Sequence, residues 1–409
     1  RDGGTLRFLD VTTAKQINGV VYDSAARQIV MDFGRQIVLT PRTRDQAVGF
    51  YPRTPASGPY AYREPLRRAG DGWTPARAAD VGMNEADLVA FVDTIEAVNP
   101  VGTNAPAIQS LLVARHGKLV LEEYFGGFDA TRPHDLRSAS KTLTSVMLGV
   151  AMRAGDAISP ETPVYSMFPG TESLIAKDPD RSRMTVGNLL THSSGLACDD
   201  NDDASLGNED RMQSQSAQPD WYRYALELPL LHAPGTVYAY CSAGINLAAG
   251  MIARATKLWL PEFFDRTIAQ PLQIDHYSVN LTPAGDMYGG GGVYMRPRDF
   301  LKFGQLYVDG GVWNGRRIVD KSWVTRSTAH QITNPNGSDG FAWHRFVLKA
   351  KGHEYQEYEA SGNGGQYMMV IPELDVVIVI TAANYNEYGI WRKFREEMVP
   401  RYVLSAVMR

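Results

Sequence analysis

The tract QYMMVIPELDVVIVITAANY (366–385) most constrains the fold. Two apolar runs flank Pro372, and HEYQEYEASG (353–362) alternates just ahead of them. Segments that alternate or run apolar in this way pair as strands of a sheet. SLLVARHGKLVLEEYFGG (110–127) supplies two more strands around the turn His116-Gly117. MNEADLVAFVDTIEAV (83–98) carries apolar residues at helical spacing, and WRKFREEMVPRYVLSAV (391–407) reads as a closing helix. Helix-like and loop segments fill roughly 155–285. Strands at both ends with helices between them predict an α/β (α+β) unit: one antiparallel sheet, flanked by helices and interrupted by a mainly helical insertion.

Residues 1–71 read differently. INGVVYD (17–23), RQIVMDF (27–33), RQIVLT (35–40) and AVGFY (47–51) are short strand-like segments separated by Asp, Gly and Pro. The stretch YPRTPASGPYAYREPLRRAGDG (51–72) has the composition of a linker. The expected division is a small N-terminal β extension and linker, 1–71, followed by a main domain, 72–409. Within the main domain, 72–154 and 286–409 form the α/β part and 155–285 the helical insertion.

Composition excludes several classes. With 41 basic against 45 acidic residues the chain has no general reason to bind nucleic acid. No apolar run reaches 18 residues, so no membrane span is expected. Cys198 and Cys241 are too few for a disulfide framework or a zinc site, and a single bridge or two semi-buried thiols both stay open. The chain begins at Arg1 without a charged-then-apolar leader. We therefore expect a processed upstream segment and a periplasmic or secreted location rather than a cytoplasmic one. Oligomeric state is not readable.

The chemistry starts at LRSASKTLTSVM (136–147), where Ser138 precedes Lys141 by three residues at the start of an apolar helical pattern. Serine is a favoured helix N-cap, so the pair alone does not require catalysis. A nucleophilic serine needs a base, because a free hydroxyl attacks poorly at neutral pH. The Gly-x-Ser-x-Gly elbow is absent, and no local motif marks a Ser-His-Asp triad among the eight histidines. One helical turn, by contrast, brings Ser138 and Lys141 to one face.

LLTHSSGL (189–196), PGTVYAYCSAGINLAAGMI (234–252), GGGGVYMRPRDFLKFGQLYVDGG (289–311) and ASGNGGQYMMVIPELDVVIVI (360–380) follow in that order. On these motifs the chain resembles serine hydrolases of the penicillin-binding-protein and class C β-lactamase superfamily over roughly residues 72–409. The likeness includes that superfamily's esterase branch and the 6-aminohexanoate-dimer hydrolases. The resemblance implies a β-lactamase/transpeptidase-like fold, Ser138 as nucleophile, and Lys141 with Tyr240 as the acid–base pair. It implies no cofactor and no metal. Tyr240-Cys241-Ser242 stands where Tyr-x-Asn is usual, as it does in the 6-aminohexanoate-dimer hydrolases. Ala360-Ser361-Gly362 aligns with the usual Lys-Thr-Gly, so the lysine that would meet a substrate carboxylate is missing. The oxyanion would lie between the backbone N–H groups of Ser138 and Asn363. Ser242, Ser361 and Gly362 would contact substrate, and Trp343, in GFAWHRF, is a further candidate for the acyl pocket.

The expected substrate is a small neutral ester or amide, most readily for a carboxylesterase. The alternatives are a β-lactamase or D-alanyl-D-alanine peptidase, and a non-catalytic penicillin-binding-like scaffold. CDDNDDASLGNED (198–210) echoes an EF-hand, but Ala204 takes the glycine position and Asp210 the bidentate glutamate position. It reads as a solvated loop near the site mouth. His192 reads as a structural residue rather than a base, and the Gly289–Gly292 run lacks the Gly-Lys-Ser/Thr of a phosphate loop.

Overall fold

The computed structural model describes residues 15, 19–32, 34–40, 59–98, 105–214 and 219–408. The chain divides into two compact units, 1–52 and 53–409. In the first, Val20–Asp23, Gln28–Asp32 and Gln36–Leu39 form a three-stranded antiparallel meander. Asp23 shapes its first turn by accepting from the N–H groups of Ala25 and Ala26. The segment 47–51 lies outside the described residues.

The second unit is built on a nine-stranded sheet. Its spatial order is Ile332–Asn334, Gly337–Asp339, His344–Ala350, His353–Gly362, Gln366–Ile371, Val376–Ala382, Ile108–Arg115, Lys118–Tyr124 and Thr74–Pro75. All neighbours are antiparallel except the last pair. His116 and Gly117 both have positive φ (51° and 68°), which gives the tight two-residue hairpin between Arg115 and Lys118.

The central strands Gln366–Ile371 and Val376–Ala382 are buried at every residue because both sheet faces are covered. Met368, Val370, Val377 and Val379 pack towards the serine helix Ser140–Ala154 and the helix Pro297–Val308. Met369, Ile371, Ile378 and Ile380 pack with Phe91 of the helix Glu85–Glu96 and with Val399 and Val403 near the C-terminus. Alternate residues thus serve two cores, so these strands read as apolar runs without alternation. Gly304 lets its helix sit on the sheet, since a Cβ there would lie 2.3 Å from Val377 Cγ1. The expected closing helix divides into an α-helix, Tyr388–Lys393, and a wider π-type stretch, Phe394–Leu404, that contains Pro400. Proline has no N–H to donate in the regular ladder.

The insertion is mainly helical, as expected, yet its Leu189, Leu190, Ile245 and Leu247 join the same core as the sheet. Its strand Tyr277–Val279 pairs with Val293–Met295, which also pairs with His134–Asp135. That small sheet fixes the chain entering the serine helix.

The described part of the expected linker is instead a strap on the main unit. The Tyr60 hydroxyl donates to Glu123 at 2.7 Å and its N–H to Asp93 at 2.9 Å. Arg63 forms a two-pronged pair with the same Glu123 carboxylate, and the Tyr62 hydroxyl donates to Val120 O. Pro and Gly set the composition of the stretch, but its tyrosines and arginine anchor it. Tyr60→Ala should therefore lower stability by about 2–3 kcal/mol in urea unfolding. A true linker position would change it by less than about 0.5 kcal/mol.

Candidate active site

Ser138 sits in a 3₁₀ turn, Arg137–Ala139, immediately before the helix Ser140–Ala154. The turn is held from outside: Leu136 N–H donates to Val293 O, and Arg137 N–H donates to Asp135 Oδ1. Arg137 has φ +51°, a left-handed backbone that a bulky residue adopts only under constraint. The helix takes no side-chain cap at its start. Ser138 is thus no capping residue, and its hydroxyl accepts a hydrogen bond from Lys141 Nζ at 2.9 Å.

Lys141 is only 3% exposed. Its Nζ also donates to Gly290 O at 2.7 Å and lies 4.9 Å from the centre of the Tyr240 ring. The Tyr240 hydroxyl lies within interaction range of both Ser138 and Lys141. The structure therefore brings the three sequence-predicted groups into one cluster. Burial pushes the Lys141 ammonium down, but Tyr240, Glu209 and Asp200 outweigh burial and hold it above the ordinary lysine value. Burial pushes the Tyr240 phenol up, against the pull of Lys141 and of its bond to Ser138. Both directions favour an ammonium beside a neutral phenol, so the pair has to lose one proton before it can act as a base.

The glycine run supplies the carbonyl wall. Gly289 O accepts from Thr144 Oγ1 and Gly290 O from Lys141. A Cβ on Gly289 would lie 2.3 Å from Ala249 Cβ, so only glycine passes between the serine helix and the helix Ser242–Thr256.

Tyr240 is fixed from two sides. His192 Nδ1 accepts the Cys241 N–H at 3.0 Å, which puts the imidazole proton on Nε2, and the two rings lie 4.4 Å apart. On the other side Cys198 and Cys241 form a disulfide, with Cα atoms 5.4 Å apart. Asp200 N–H donates to Tyr240 O. Asp200 Oδ2 accepts from both the N–H and the hydroxyl of Ser242, at 2.8 and 2.7 Å.

A cavity of about 180 Å³ opens over Ser138. Asn363, Gly290, Arg137, Glu209, Asp210 and Tyr288 are among its lining residues. Asn363 follows a strand pressed hard against the serine turn: a Cβ on Gly362 would lie 2.3 Å from Leu136 O. The Asn363 side chain exchanges two 2.7 Å hydrogen bonds with Asn386, which fixes it at the cavity edge.

Two expected substrate contacts are corrected. Ser242 is fully buried and its hydroxyl is committed to Asp200. Trp343 is fully buried between Tyr307 and Tyr358 in the core. Ser361 is half-buried on the strand before Asn363, and Gly362 serves as close packing. The acidic loop is partly solvated, with Asp202 and Asp203 exposed, but Asp200 turns inward. Among the described residues no acid, histidine or cysteine cluster could hold a metal. Asp200, Glu209 and Tyr288 had no motif of their own. The one available signal was that Cys198 lies two residues before Asp200 and Cys241 next to Tyr240.

The profile of the Beta-lactamase family matches residues 102–389. The chain belongs to the beta-lactamase family. Its members are serine hydrolases that act on amides or esters. It is 25% identical over 284 residues to the 6-aminohexanoate-dimer hydrolase of Paenarthrobacter ureafaciens, covering 66% of this chain and 71% of that protein. It is 23% identical to the D-alanyl-D-alanine-carboxypeptidase/endopeptidase AmpH of Escherichia coli (strain K12), over 62% of this chain and 72% of that one. Among solved structures, a putative 6-aminohexanoate-dimer hydrolase from Bacillus anthracis superposes with a TM-score of 0.60 at 20% identity, covering 74% and 79% of the two chains. A putative beta-lactamase from Bacteroides dorei does so at 0.59 and 20%, covering 73% and 94%. These likenesses establish the beta-lactamase-type fold.

His192 makes a testable contribution to stability. Burial is the main cause that lowers its pKa to about 3, and burial likewise lowers His134 to about 4. Both are neutral in the fold, whereas the unfolded chain binds a proton at each below about pH 6.5. The stabilisation is whole above pH 6.5 and is lost as the pH falls towards 4 and then 3. Each histidine should add up to about 1.4 kcal/mol per pH unit to that slope. His192→Asn, which keeps an acceptor for the Cys241 N–H, should flatten the curve between pH 6.5 and 4 in denaturant titrations. An unchanged slope would show that His192 is not held neutral.

Proposed function

We propose that this beta-lactamase family member is a carboxylesterase acting on small neutral esters through a Ser138 acyl-enzyme. The observation that carries this reading is the cluster of Ser138, Lys141 and Tyr240 at the floor of a small cavity whose lining offers little to a carboxylate. Ala360, which takes the place of the usual motif lysine, is fully buried. Arg137 is the one cation among the described lining residues, and Asp135 pairs with its Nε at 3.0 Å. Asp135, Glu209 and Asp210 add negative charge to the same wall. A carboxylated substrate would meet net repulsion there.

The pair acts as a base once it has released one proton to solvent: Tyr240, ionised beside the Lys141 ammonium, takes the Ser138 proton as Oγ attacks the ester carbonyl. The tetrahedral oxyanion takes the backbone N–H groups of Ser138 and Asn363, worth about 3 kcal/mol each in preorganised sites. Tyr240, next to the charged Lys141, protonates the departing alkoxide. The same pair then draws a proton from the water that attacks the acyl-enzyme and returns it to Ser138 Oγ. Of the two expected locations, the Cys198–Cys241 bridge supports the periplasmic or secreted one, because such bridges persist in oxidising compartments.

The wild type should release p-nitrophenol from a short-chain p-nitrophenyl ester and leave nitrocefin nearly untouched. Ser138→Ala should abolish ester cleavage, and Lys141→Ala or Tyr240→Phe should reduce kcat by roughly 10²–10⁴-fold. Faster cleavage of nitrocefin would replace this reading with a β-lactamase in which Arg137 substitutes for the missing lysine. Equal activity of Ser138→Ala would leave a non-catalytic scaffold.

A further inference from the structure

The second motif ends in serine rather than asparagine, yet Ser242 has no access to the cavity. Its hydroxyl and its N–H both point at one oxygen of Asp200, while the other oxygen accepts the Glu209 N–H at 2.9 Å. The Asp200 carboxylate therefore receives three hydrogen bonds, and the Asp200 N–H donates to Tyr240 O. Asp200 is thus bonded at once to the residue bearing the phenol, to the turn after it and to the cavity wall. A carboxylate beside a buried ammonium also changes the charge balance of the site, which an asparagine there would not do.

We propose that Asp200 is a positioning residue for the acid–base pair: its carboxylate pins the Tyr240–Ser242 turn and supplies a negative charge that faces the Lys141 ammonium. This rests on the reading of Lys141 and Tyr240 as the pair that serves Ser138. Asp200 does not itself line the cavity and acts on Ser138 only through Lys141 and Tyr240. The titratable groups that face Lys141 are Tyr240 from the turn before its helix, Glu209 and Asp200 from the acidic loop, and neutral His192. Asp200 in turn faces Lys141 and Glu209, and Lys141 and the Ser242 bonds oppose the upward push of burial on its carboxyl. With Asp200 neutralised, the lysine keeps the cost of burial and loses part of what offsets it. It then gives up its proton at a lower pH, and Tyr240 loses the adjacent cation that favours its ionised form.

The test compares Asp200→Asn, Asp200→Ala and Ser242→Ala with the wild type. Asp200→Asn should lower kcat at least about 10-fold with KM within about 2-fold, because the interaction lost is not with substrate. The alkaline limb of its kcat profile should move down by about one pH unit. Ser242→Ala removes one hydrogen bond and keeps the charge, so its alkaline limb should stay in place. Lys141 is also titrated directly, by the ¹³Cε signal of lysine-labelled protein assigned through its loss in Lys141→Arg. That midpoint should fall in both Asp200 variants and stay put in Ser242→Ala. Thermal melts check that each variant is folded, and should Asp200→Ala fail to fold, the isosteric Asp200→Asn decides alone. A Lys141 midpoint unchanged in Asp200→Asn overturns the proposal, as does a loss of kcat shared equally by Ser242→Ala. The nuclear resonance titration needs no turnover. If Ser138→Ala retains activity the functional reading fails, while the assignment of Asp200 is still decided by that midpoint.

Discussion

The site is organised around one demand: a lysine ammonium with almost no access to water must be given partners by the protein. An unpaired buried charge would cost several kcal/mol, and the group would shed its proton instead. Lys141 avoids this through the Gly290 carbonyl, the Ser138 hydroxyl and Tyr240. Each partner then imposes its own condition. Gly290 can present its carbonyl only because the glycine run threads between two helices without Cβ atoms. Tyr240 can stay within reach only because the turn that carries it is tied on both sides.

Those ties come from segments far apart in sequence. The Cys198–Cys241 bridge closes a separation of 43 residues, which by chain entropy alone is worth about 4 kcal/mol. Its larger consequence is local, since it places Asp200 against Ser242 and leaves Glu209 at the cavity wall. His192 holds the opposite side through one N–H and one ring face. Below this layer, the sheet is covered on both faces and cannot shift without disturbing two cores. The strand ending at Gly362 therefore meets the serine turn at a fixed height, and Asn363 is delivered beside Ser138.

The order of strands and helices was legible because it is written in periodicity, a local property. The trio was legible because Ser138 and Lys141 are one helical turn apart and Tyr240 sits in a motif of familiar spacing. The residues around the trio are harder to read. Asp200 looks like any acid of a polar loop, and its role appears only when the disulfide folds that loop back onto residue 242. Ser242 and Trp343 were assigned to substrate from their neighbours in sequence. Strand alternation and helix facing send them instead to Asp200 and to the aromatic core. The strap was misread for the converse reason: Pro and Gly dominate its composition, while three side chains, Tyr60, Tyr62 and Arg63, supply its anchoring.

The proposed selectivity rests on the same electrostatics. Where the superfamily usually places a lysine to meet a substrate carboxylate, this chain has a buried alanine. The cation among the described cavity-lining residues, Arg137, is held by Asp135 and lies 5.0 Å over the ring of Tyr385. Freeing Arg137 for a substrate anion would cost that half-exposed ion pair. Restoring a lysine at position 360 would not repair this, since that side chain points into the core rather than the cavity. On the proposed reading, a preference for neutral substrates comes from the acidic cavity lining and the buried position 360.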